Sequence, residues 1–141
     1  MNAVQILIII GTLPFIVLGT VHNIYTAIDK KRPFRISPSD PAVRAAMEGS
    51  SLRLHPSTNV WRAWIGFNFS HGLGAIVFGL VFLTLALTDI ESLVQSRTLM
   101  AIAAIVPLIY LRLAFQYWFI IPLVGIAVGA AAMLGAFALA M

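Results

Sequence analysis

VWRAWIGFNFSHGLGAIVFGLVFLTLALT, residues 60–88, contains no acidic residue, and Arg62 and His71 are its ionisable side chains. A helix needs roughly 20 apolar residues to cross the hydrocarbon core at about 1.5 Å rise per residue. This run is longer, and its apolar residues are continuous rather than alternating, which argues against a strand of a transmembrane barrel. Three further stretches, at about residues 3–28, 95–115 and 119–140, share its character. The sequence therefore predicts a single all-α integral membrane domain over 1–141, a four-helix transmembrane bundle with up-down-up-down topology.

Composition agrees. The chain is 60% hydrophobic and 10% charged with a mean hydropathy of +0.96, whereas soluble domains are roughly 25% charged. It has no cysteine, which removes disulfides, thiolate metal sites, iron–sulfur clusters and cysteine nucleophiles. Nothing basic precedes the first apolar stretch and no small-residue cleavage site follows before His22, so it reads as a retained span rather than a signal peptide.

Of nine Lys and Arg, seven (Lys30, Lys31, Arg32, Arg35, Arg44, Arg53 and Arg62) lie between the first span and the start of the second. The positive-inside rule places that connection in the cytoplasm and both termini on the outer side. The pI near 10.1 then reflects attraction to anionic headgroups. The bilayer is the expected partner, and nucleic acid is not.

The connection, about residues 29–59, contains SPSDPAVRAAMEGS. Asp40 suits an N-cap, Pro41 the first helical position and Gly49 a C-terminal cap, so a short interfacial helix is expected, with Val43 and Met47 on one face. Thr88 to Glu91 reads as a turn, and Gln116 to Trp118 as another. Gly66, Ser70 and Gly74 in the second span, and Gly125 and Gly129 in the fourth, recur every four residues. Such faces serve close packing within the chain or a homo-oligomer.

Polar side chains are costly in a membrane and usually face the bundle interior. Trp64, Asn68 and His71 share one face of the second span, with His71 roughly 16 Å deep. His22, Thr26 and Asp29 form a similar stripe on the first span, with His22 roughly 10 Å from its inner end and Tyr25 alongside. Arg112 lies near the inner end of the third span, and the fourth carries nothing ionisable. These placements predict a cytoplasm-facing pocket formed by His22, Tyr25, Thr26, Trp64, Asn68, His71 and Arg112. The plainer alternative makes Arg112 a snorkelling interfacial residue, Trp64 a belt aromatic and Asn68 a helix-packing hydrogen bonder. Asp29, Glu48 and His55 are expected at solvated surface.

Two buried histidines fall short of the three ligands of a metal site. A bis-histidine haem is disfavoured by their different depths, and no metal or cofactor is expected. The leading functional reading is binding of a small hydrophobic or amphipathic molecule. The alternatives are a membrane enzyme of isomerase, cyclase or hydrolase type, with His71 or His22 as general acid or base, and a structural subunit. Finally, the His22-Asn23 pair, the basic connection and WRAWIGFNFSHGLG (61–74) together resemble a group of small four-helix bacterial membrane proteins to which no activity is attached. The resemblance spans nearly the whole chain. It implies a bacterial inner-membrane setting and no catalytic residue.

Overall fold

The computed structural model describes residues 1–140. The helices are α1 (Ala3–Lys31), α2 (Pro41–Gly49), α3 (Val60–Thr88), α4 (Ile90–Gln95), α5 (Arg97–Tyr117) and α6 (Ile120–Ala140). Of these, α1, α3, α5 and α6 are long and apolar enough to cross a membrane. At 21 residues, α5 and α6 extend about 31 Å, close to the thickness of the hydrocarbon core. At 29 residues, α1 and α3 reach about 43 Å, so each has roughly two turns to spare. The protein is an all-α bundle with four candidate spans. Large apolar side chains such as Leu13, Val17, Phe67, Val77, Ile105, Phe115 and Val128 are exposed around it, as a lipid-facing surface requires.

The chain divides into two compact units, residues 1–18 with 75–141 and residues 19–74. In the first unit, the start of α1, the end of α3, and α4, α5 and α6 share one core. Ile8, Phe82, Ala86, Leu93, Met100, Ala103, Met133 and Ala136 are buried together there. A second cluster gathers Phe15, Ala75 and Ile126, with the Phe15 ring edge-on to Phe78 at 4.9 Å and to Tyr110 at 5.5 Å between centroids. Register follows from small residues. A Cβ on Gly129 would lie 3.1 Å from the Gly11 carbonyl oxygen and 2.9 Å from Phe15, while one on Gly125 would lie 2.8 Å from Leu18. Ascending positions in α1 thus meet descending positions in α6, as antiparallel helices must. Gly79 packs on Thr12 and Ile16, and the Gln5 amide donates to the Ala86 carbonyl at 2.8 Å, so α3 also runs antiparallel to α1.

Where the sequence suggested a bare turn after Thr88, six residues form α4. The Asp89 side chain caps it by accepting from the Ser92 amide at 3.1 Å, and Leu93 anchors it in the core. So short a helix has too little periodicity to stand out in sequence. Gly125 and Gly129 are consumed by packing within the chain, whereas Gly66 and Gly74 are exposed.

In the second unit, α1 ends at Lys31 and the connection folds back. The Asp40 carboxylate caps α2 at the Ala42 amide, 2.8 Å away, with Pro41 in the first turn as expected. The other end differs. Gly49 remains helical and Ser50 closes the helix in extended conformation, so the glycine supplies no left-handed turn. An isolated antiparallel bridge joins Ser51 to Asn59. Asn59 serves two helices at once, donating to the Glu48 carbonyl at 3.0 Å and accepting from the Arg62 amide at 2.8 Å. It therefore satisfies an orphan carbonyl of α2 and an orphan amide of α3.

Arg44 completes the docking of α2. Its guanidinium stands 4.4 Å over the Trp61 ring and 2.9 Å from Glu48. A cation over a largely buried indole contributes about 1 kcal/mol. Arg44→Ala is expected to lower the unfolding free energy in detergent by about that amount, with Arg44→Lys falling between. Indistinguishable melting curves for the three proteins would refute a docking role.

Candidate functional site

The polar residues of the second unit come together between the end of α1 and the start of α3. His22 and His71 meet edge to face, with ring centroids 5.2 Å apart, and Asn68 lies beside the His22 ring. Sequence spacing placed Asn68 and His71 on one face of their helix and His22 on the polar stripe of another, and the structure brings all three together.

Other members of the expected set are occupied differently. The Thr26 hydroxyl, fully buried, donates to the His22 carbonyl at 2.8 Å, a bond one turn back along its own helix. Tyr25 packs edge-on to Phe34 of the connection at 5.4 Å. Trp64 is 43% exposed, as a belt aromatic would be, and its carbonyl receives the Asn68 amide at 2.8 Å. Arg112 is exposed on α5, in the other unit.

Asn23, the neighbour of His22 in sequence, is not among the pocket residues expected from helical spacing. Its side chain lies on Gly72, where a Cβ would collide with the amide and approach the Gly19 carbonyl oxygen to 3.0 Å. Glycine is thus required for the two helices to come this close. Within this contact two polar atoms, Nε2 of His22 and Oδ1 of Asn23, are buried without a hydrogen-bond partner. Such atoms are rare in native structures, because each forfeits about 1–3 kcal/mol of solvation.

Asp29 overturns the expectation of a solvated carboxylate. It is fully buried and accepts hydrogen bonds from the backbone amides of Phe34 (2.8 Å), Arg35 (3.0 Å), Ile36 (3.0 Å) and Ser37 (3.0 Å), and from the Ser37 hydroxyl. An acid in the last turn of a helix opposes the helix dipole. The run of donors after Pro33 provides the compensating field. Glu48 and His55 remain at the surface as expected, Glu48 paired with Arg44 and the His55 Nδ1 2.7 Å from the Ser57 hydroxyl.

Two surface concavities belong to this unit. One is lined by Ala27, Ile28, Lys31 and Arg32, the other by Lys30, Trp61, Arg62, Ile65, Gly66 and Phe69. Neither is lined by His22, Asn68 or His71. Among the described residues, no group of three His, Cys, Asp or Glu side chains is placed to hold a metal ion. The chain matches no protein-family model, no curated protein and no solved structure.

Proposed function

We propose that this multi-pass protein resides in the bacterial inner membrane, with its basic connection in the cytoplasm, and binds a small hydrophobic or amphipathic molecule at the contact of α1 with α3. The observation that carries this reading is the pair of buried, unpartnered atoms, His22 Nε2 and Asn23 Oδ1. Imidazole nitrogen can donate or accept, and an amide oxygen accepts. A ligand hydroxyl would donate to Asn23 and accept from His22, so an alcohol or similarly amphoteric head on an apolar body fits both. Access requires the side chains at Gly72 to part, and the bilayer delivers the apolar body directly to the helix face.

The edge-on contact of His22 with His71 favours one second reading, in which the imidazoles exchange a proton and His22 or His71 acts as acid or base on the same ligand. Native mass spectrometry of the detergent-purified protein tests the first reading. The parent is expected to carry a defined extra mass, and His22→Ala and Asn23→Ala to reduce its retention about 10- to 100-fold, the equivalent of one or two buried hydrogen bonds. A parent with no bound mass, and variants altered only in assembly or stability, would replace binding with a structural role. Turnover lost in His71→Ala while the mass is retained would select the enzyme reading.

A further inference from the structure

The groove formed by the last turn of α1 and the first turns of α3 has two kinds of wall. Lys30 and Arg62 are exposed cations, and among the described residues neither is ion-paired. No carboxylate lines the groove. The acidic side chains nearest in sequence are engaged elsewhere, Asp29 by its five donors and Glu48 by Arg44. Further along α3, one and two turns beyond Trp61, Ile65 and Phe69 make the wall apolar. Between them Gly66 leaves space, since a Cβ there meets nothing within 4 Å. The Trp61 ring is held in place from above by Arg44.

Glycine inside a helix is unfavourable unless its missing side chain is put to use. At Gly72 and Gly129 another helix uses it, but at Gly66 no protein atom does. Cations without a counter-charge beside an open apolar channel suit an anionic amphiphile, with the headgroup on the cations and the chain lying along the helix.

We infer that this groove holds an anionic phospholipid of the surrounding bilayer, its phosphate at Lys30 and Arg62 and the first part of one acyl chain over Gly66 between Ile65 and Phe69. The groove shares no lining residue with the His22–His71 contact, so the assignment stands independently of the ligand proposed there.

The experiment is native mass spectrometry of the full-length protein in neutral detergent after exchange into an equimolar mixture of phosphatidylglycerol and phosphatidylcholine. The parent is expected to retain phosphatidylglycerol about 10- to 30-fold over phosphatidylcholine, the preference two juxtamembrane cations confer. Gly66→Leu, filling the channel, is expected to reduce retained phosphatidylglycerol at least about 10-fold with helical content preserved and a melting temperature no lower than the parent's. The exposed Lys30→Gln/Arg62→Gln double variant guards against a folding artefact. It is expected to bind both lipids equally.

Equal retention of the two lipids by the parent, or parental phosphatidylglycerol levels in Gly66→Leu, overturns the assignment. So does glycerol 3-phosphate binding as well as the whole lipid, since that would reduce the groove to a headgroup pocket.

Discussion

Asp29→Ala is expected to release the segment 34–37 and to lower stability by at least about 3 kcal/mol, since each hydrogen bond to a charged group is worth about 1.5–3 kcal/mol. The carboxylate is fully buried and holds four consecutive backbone amides and one hydroxyl. Its removal strands all of these donors at once. Hydrogen exchange at amides 34–37 is expected to accelerate by roughly 100-fold, the factor that about 3 kcal/mol implies. Asp29→Asn tests the chemistry separately from the shape. The amide is nearly isosteric, yet it turns one acceptor into a donor that confronts other donors, so exchange in Asn should resemble that in Ala more than that in the parent. Exchange in Asp29→Ala at the parental rate would show that the loop holds itself without the carboxylate.

The second large effect is expected from Gly129→Leu, which drives a side chain into the Gly11 carbonyl oxygen and the Phe15 ring, 3.1 and 2.9 Å from where its Cβ must sit. A carbonyl in a helix backbone cannot step aside as a flexible side chain can. Overpacking costs about 1–3 kcal/mol, and the upper end is expected here because a backbone atom is struck. The same change at Gly66 supplies the contrast. A Cβ there is unobstructed, and removing a mid-helix glycine is mildly stabilising, by up to about 1 kcal/mol. Thermal unfolding of the two variants in one detergent should therefore separate them in opposite directions. Equal melting temperatures would mean that the α1–α6 approach is looser than the geometry states.

The contrast also shows which features were legible in the sequence. Four spans could be read because continuous apolar runs near 20 residues have few other meanings. Asp40 and Pro41 announced α2 by local chemistry that needs no partner. The histidine contact was half legible. Helical spacing assigned His22, Asn68 and His71 to faces, but the importance of Asn23 depends on Gly72 lying opposite, a long-range fact that no local pattern encodes.

Asp29 was misread because a carboxylate beside a basic loop usually faces water. An acid placed against the helix dipole, followed by Pro33 and a run of free amides, was the available signal. Arg112 joined the expected pocket on depth alone, and depth does not specify which side of a helix faces the interior. Gly66 and Gly129 illustrate the same limit, since both sit in small-residue repeats and only tertiary placement separates an open channel from a helix–helix contact.

The closeness of Gly11 to Gly129 also imposes a schedule. Residues 19–74 form one uninterrupted segment, so that unit is complete in covalent terms once its last residue has been synthesised. The other unit joins the start of α1 to a helix more than a hundred residues further along. Until α6 emerges, the flank of α1 bearing Gly11 and Phe15 lacks its eventual neighbour, and lipid or the insertion machinery must cover it. A ribosome pausing before α6 would thus leave a half-assembled protein whose later-coded portion is still needed to close what its earlier-coded portion began.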